Sequence, residues 1–245
     1  MHSGMVYSGK IYETEGANPK GVHEAFEVRL LTPLIPGSVR VFTEAIAVGG
    51  EQEKYIFQYL NPGNLSATQS FLTIPPTAGK LRFEAYLGVI ASQDFIFAGE
   101  ETTEDAILGY SLFSTIVDDS SNRLGSAGAQ DSAPAFGPVI TTPEELEDRW
   151  LINSQGTFLQ LTFAIKVNQV EIARGLVSDF RLSPARALAI ASETAPVRAA
   201  DLIVIGPIVS TPIDRPLTAD DEISVNGETL GALTVKLTSP EFSEK

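Results

Sequence analysis

Residues 158–168 read FLQLTFAIKVN. Leu159, Leu161, Phe163, Ile165 and Val167 alternate there with Gln160, Thr162, Ala164, Lys166 and Asn168. Period-2 alternation over ten residues specifies a strand with one buried and one wet face. A helix would spread the same five side chains around its circumference. At about 3.3 Å per residue such a strand runs roughly 33 Å. Its apolar face needs a second layer, so the chain must build stacked sheets.

The remaining chain supports that reading. Leu81, Phe83, Ala85, Leu87 and Val89 alternate with Arg82, Glu84 and Tyr86. Further strands are predicted at 5–12, 22–30, 39–48, 55–60, 71–74, 94–98 and 107–117, with Gly109 as a bulge. Turn residues separate them: Asn18-Pro19, Gly49-Gly50, Asn61-Pro62-Gly63 and Pro75-Pro76. In the second half, strands are predicted at 170–177, 202–209 and 233–237. Gly206-Pro207 interrupts the second of these, which predicts an edge or a bulge, because proline cannot donate to a ladder. Thr142-Pro143-Glu144-Glu145 and Ser183-Pro184 each join a capping residue to a proline at the first helical position, predicting two short helices, although Leu188 and Ile190 alternate with alanines and would also fit a strand in the second. Glu100–Asp105 is an acidic loop or a single helical turn. The fold class is therefore mainly β, with sandwich or barrel-like antiparallel sheets and one or two short helices in the C-terminal half. Residues 118–141 are rich in Ser, Gly, Ala and Asp. They divide an N-terminal β domain at 1–117 from a β-rich domain at 142–245, as a flexible linker or a long loop within one elaborated sandwich.

Composition excludes several chemistries. The net charge of −14 disfavours binding to phosphate backbones and anionic membranes. There are no cysteines, hence no disulfides, thiolate metal sites or cysteine nucleophiles. The two histidines, His2 and His23, cannot build a multi-histidine metal site. No apolar run is long enough to span a bilayer, and the N-terminus lacks the pattern of a secretory signal. A cytoplasmic or virion-associated location is expected. Dinucleotide, phosphate-loop, nucleophile-elbow and HExxH motifs are missing.

Candidate sites remain thin. Acidic groups at 100–105, 118–119, 144–148 and 220–222 offer oxygens for calcium, but none has the alternating spacing that aims them at one ion. No cofactor is expected. Glu24, Glu27, Glu44 and Glu84 are strand-borne acids that would serve a glycoside hydrolase as a pair, but alternation places them on wet faces. Tyr55, Phe57 and Tyr59 share one strand face and form a candidate platform for a carbohydrate or another small ligand. Arg174, Arg181, Arg186 and Arg198 concentrate positive charge in the second half of an acidic chain, a candidate self-association surface. The expectation from these observations is a non-enzymatic structural protein, a self-associating subunit of a virion, tail-like particle or surface assembly, whose partners are copies of itself or other structural subunits. A ligand-binding β module is the second reading, and a carboxylate-dependent hydrolase the third.

Overall fold

A computed structural model describes residues 3–7, 10–15, 18–24, 27–43, 55–73, 80–118, 134–153, 156–213 and 217–238. The chain is mainly β. An antiparallel three-stranded sheet comprises β1 (Ser3–Tyr7), β2 (Lys10–Glu15) and β3 (Asn18–Glu24). A six-stranded sheet runs in the order β5 (Phe57–Leu60), β4 (Val39–Phe42), β14 (Leu202–Pro212), β7 (Leu81–Ala91), β8 (Ile107–Asp118), β9 (Ala135–Thr141). A five-stranded sheet runs β13 (Val170–Leu176), β12 (Thr162–Val167), β15 (Glu222–Gly227), β16 (Gly231–Thr238), β6 (Ser70–Thr73). The hairpin β10 (Trp150–Asn153) and β11 (Gly156–Leu159) and the helices α1 (Glu100–Glu104) and α2 (Pro184–Ser192) complete the elements used below.

The main core lies between the two larger sheets. Phe83, Leu87 and Val89 of β7 with Leu112 of β8 meet Phe163 and Ile165 of β12 and Val225 and Leu233 beyond, and α2 adds Leu188 and Ala191. The reverse face of the six-stranded sheet is also covered. Val39, Val41, Tyr86, Ile90, Phe113, Phe136 and Val204 form a second cluster there, with Leu34, Leu65 and Ile140 packed against it. A sheet buried on both faces calls for unbroken apolar runs such as ILGYSLFSTIV in β8.

The opening alternation keeps its burial pattern. Leu159, Leu161, Phe163, Ile165 and Val167 are all buried. The ladder is not continuous, however. β11 ends at Leu159 and pairs with β10, while β12 begins at Thr162 and joins the five-stranded sheet. At the junction the Gln160 amide donates to the Arg149 carbonyl, 2.7 Å, and the Leu161 carbonyl accepts from Val177, 2.9 Å. One apolar face thus serves two separate pairings.

β14 is central rather than an edge strand, parallel to β4 and antiparallel to β7. Its register slips between Ile205 and Val209, so Gly206-Pro207 occupies a bulge that needs no proline N–H. Ser183 caps α2 as its spacing predicts, accepting from the Arg186 amide at 3.1 Å. Residues 143–149 form a 3₁₀ run, not an α-helix. The tighter turn seats Leu146 in the core and delivers Trp150 directly into β10, where its ring packs on Tyr110 at 5.8 Å. The strand predicted at 22–30 stops at Glu24, whose amide donates to the Glu27 carboxylate, 2.9 Å, instead of to a ladder.

Both larger sheets draw strands from the two sides of the 118–141 stretch. β14 lies beside β4 and β7, and β6 pairs with β16. Residues 135–141 of that stretch form β9. The Gly49-Gly50 hairpin, the Pro75-Pro76 turn, Glu44 and residues 119–133 lie outside the described residues. No helix among the described residues is long and apolar enough to cross a membrane.

Candidate active site

Three carboxylates are buried among the described residues: Glu84, Asp201 and Asp221. Asp221 accepts from the Thr218 amide at 2.7 Å and from Asn168 Nδ2 at 2.6 Å, which pins the turn before β15. Asp201 accepts from the Arg198 amide at 2.9 Å and lies 3.8 Å from the buried Arg40 guanidinium. Both hold loops in place. Glu84 is different, because it projects from the middle of a sheet.

Alternation predicts Glu84 on a wet face, yet it is only 3% exposed. The reason is the second cluster. Glu84 shares a face of β7 with Tyr86, and that face is covered as well as the core-facing one. Its cross-strand neighbours are Ser210 on β14 and Thr115 on β8. Tyr86 donates its hydroxyl to Glu84 Oε2 at 2.5 Å, and Ser210 donates to Oε1 at 3.2 Å. Arg82 Nε lies 3.5 Å from Oε1 at the more exposed end of the row. Burial in particular, then the Glu84 charge, pushes the Tyr86 phenol well above the usual tyrosine range. A phenol that stays neutral keeps donating to the carboxylate. Sequence reasoning singled out Glu84 and passed over Tyr86 and Ser210. The FEAY stretch carries a signal for Tyr86, since Glu and Tyr two apart on a strand share a face. Nothing local announces Ser210, 126 residues away.

Tyr110 behaves similarly, with burial pushing its phenol above the usual range. For both residues the folded pKa exceeds the unfolded value. Their contribution to stability is therefore complete below the ordinary phenol value of 10.0 and is lost as pH climbs through the folded pKa. In an alkaline titration followed by phenolate absorbance, these two rings should ionise only as the protein unfolds. Tyr86→Phe should leave the signal before that transition unchanged and lower the final amplitude by one tyrosine of the six.

The other candidates are dispersed. Phe57 packs against Phe42 at 5.1 Å and Tyr59 at 5.7 Å, and the Arg40 guanidinium lies over both the Phe57 and Tyr59 rings, at 5.9 and 5.5 Å. Tyr55 donates its hydroxyl to the Arg181 carbonyl at 3.3 Å. Arg174 pairs with Glu171, Arg186 with Glu100 and Arg198 with Asp94. His23 lies 3.2 Å from Glu13 in the three-stranded sheet. Glu24 pairs with Lys10 at 3.2 Å. An open depression of about 280 Å³ on the five-stranded sheet is lined by Lys166, Glu171, Arg174, Asn226 and Glu228, whose charges largely offset one another.

Comparison with known proteins gives this geometry its context. The profile of the fumarylacetoacetate (FAA) hydrolase C-terminal family matches residues 41–238. A search of curated proteins gave no match. Among solved structures, 5-carboxymethyl-2-hydroxymuconate delta-isomerase from Mycobacterium smegmatis superposes with a TM-score of 0.77 at 18% identity, over 98% of this chain and 94% of that one. The 2-hydroxyhepta-2,4-diene-1,7-dioate isomerase from Mycobacterium marinum gives 0.75 at 18% identity, over 95% and 88%. Maleylpyruvate hydrolase from Sphingobium sp. SYK-6, in complex with manganese(II) ion and pyruvate, gives 0.75 at 17% identity, over 98% and 97%.

A metal ion in one such structure raises the question whether the residues here fit one. Among the described residues no group of three His, Asp or Glu side chains is placed to hold a metal ion. Glu84 is met, among the described residues, by the neutral hydroxyls of Tyr86 and Ser210 and by the cation of Arg82. A divalent ion selects several oxygens and more than one negative charge, so this donor set does not fit one.

The family match overturns the expectation of a non-enzymatic virion or surface-assembly subunit. That expectation took the lack of cysteine and of usable histidine for a lack of chemistry. Composition reports what a surface is made of, whereas a site needs only a few groups held in place by the fold. The profile takes in every strand of the six-stranded sheet apart from the first residues of β4, Glu84 included. This chain belongs to the fumarylacetoacetate hydrolase family.

Proposed function

We propose that the protein is a hydrolase or isomerase of small carboxylic acids carrying an enol or oxo group, with Glu84 as its proton-transfer residue. The observation that carries this reading is a family match that encloses a buried sheet carboxylate bound by neither a cap nor a loop. The similar structures bear the names of isomerases of hydroxy-diene dicarboxylates and of a hydrolase of maleylpyruvate. Both kinds of reaction need a base that removes a proton, from carbon or from water, and later returns it. Tyr86 fixes Oε2 of Glu84, so that Oε1, which accepts from Ser210 and lies 3.5 Å from Arg82, does the exchange once the Ser210 hydroxyl turns away. An acidic protein repels an anionic substrate at long range. Arg82, whose side chain is 36% exposed, supplies a local cation at the outer end of the row.

The test is turnover of maleylpyruvate, fumarylacetoacetate and a 2-hydroxymuconate, followed by loss or shift of the enol chromophore. Glu84→Gln keeps the shape and removes the base. It should lower kcat by about 10²–10⁴-fold with little change in KM. Undiminished turnover by a folded Glu84→Gln variant would refute the assignment, as would failure of the wild type on all three substrates.

A further inference from the structure

We infer that the Glu84 site is complete without a divalent cation, the hydroxyls of Tyr86 and Ser210 supplying the stabilisation that an ion would otherwise give the carboxylate. The inference stands on donor geometry and does not require the proposed activity to be correct.

Three observations agree. First, both oxygens of Glu84 are already engaged, Oε2 by Tyr86 and Oε1 by Ser210. An ion entering there would have to break those bonds. Second, every neighbour in the row across β14, β7 and β8 is neutral: Ser210, Thr115 and, two residues along, Tyr86. A single carboxylate cannot balance a doubly charged ion in a dry environment, where the unbalanced charge is costly. Third, among the described residues the Arg82 guanidinium lies 3.5 Å from Oε1, and its charge repels a cation. Tyr86 is itself locked in place. Its ring packs edge-on against Phe113 at 5.7 Å and is fully buried, so it cannot swing aside to admit an ion.

The experiment is a calorimetric titration of the chelator-dialysed full chain with MnCl₂ and MgCl₂, with melting temperatures measured with and without EDTA. Wild type should show no stoichiometric heat of binding at Glu84, and EDTA should leave the melting temperature unchanged. Stoichiometric Mn²⁺ binding that disappears in Glu84→Gln overturns the inference. Binding that persists in Glu84→Gln places the ion elsewhere and upholds it. Should Glu84→Gln fail to fold, Tyr86→Phe decides. By freeing a carboxylate oxygen it would tighten an ion held at Glu84, overturning the inference, and would leave one held elsewhere unchanged, upholding it. None of these readouts uses a substrate, so a failed activity assay and a failed ion assay remain distinguishable.

Discussion

Replacing Arg40 with methionine is expected to destabilise the fold by about 3–5 kcal/mol, the range for breaking a buried ion pair from one side. In a chain of this size that lowers the melting temperature by roughly 6–20 °C. Arg40 is 3% exposed on β4 and holds together three segments that are far apart in sequence. Its guanidinium donates to the Ala191 carbonyl at 2.7 Å and to the Pro196 carbonyl at 2.5 Å, securing the end of α2 and the loop that follows. Its separation of 3.8 Å from Asp201 is an ion pair and too long for a hydrogen bond. Methionine fills much of the volume and can still lie against Phe57 and Tyr59. It leaves both carbonyls without this donor and leaves Asp201 buried, with the Arg198 amide as its remaining hydrogen-bond donor among the described residues. Adding Asp201→Asn should recover part of the loss, because the residual charge is what makes one-sided removal expensive. A fall below about 1 kcal/mol in denaturant unfolding would show that the cluster is not the fastening described here.

Much of this architecture is legible in the sequence, because alternation reports burial directly. The five apolar side chains of residues 158–168 are all inside. What alternation leaves out is the partner. A strand that stops pairing with one neighbour at Leu159 and starts with another at Thr162 keeps the same in-and-out pattern. Nor does anything local connect Val39 with Leu202, their parallel register being decided by packing across more than half of the chain. The position of β14 shows the same limit. Gly206-Pro207 signals that a ladder is interrupted, and a bulge in a central strand satisfies that signal as well as an edge does.

The site was harder to read for a related reason. A period-2 strand shows which residues oppose its apolar face, but not whether a further layer covers them. Glu84 looks solvent-facing until Leu34, Leu65 and Ile140 are seen packed on that side of the sheet. Its partnership with Tyr86 is visible once burial is known. Ser210 depends on the register of β14 against β7, which is a property of the fold.

Gly206→Ala should be the most damaging single-methyl change near the site. The residue has φ +151°, a conformation that an L side chain rarely adopts, so substitution is strained even with room to spare. There is no room. An added Cβ would lie 2.7 Å from Tyr86 Cδ1 and 2.8 Å from the Ile208 amide nitrogen. The backbone cannot give way easily inside a central strand, so the Tyr86 ring must move. That ring is wedged against Phe113 and holds Glu84, so strain at position 206 reaches the carboxylate. Backbone strain and overpacking are each worth about 1–3 kcal/mol, giving roughly 2–6 kcal/mol together. Gly99→Ala is the matched control. Its Cβ meets nothing within 4 Å at the start of α1, so its effect should stay within about 0.5 kcal/mol. Near-ultraviolet circular dichroism adds a readout local to the aromatic rings, which Gly206→Ala should perturb and Gly99→Ala should not. Equal melting temperatures and unchanged aromatic spectra for the two variants would mean that the bulge and Tyr86 are not in contact, and the positioning of Glu84 described above would lose its support.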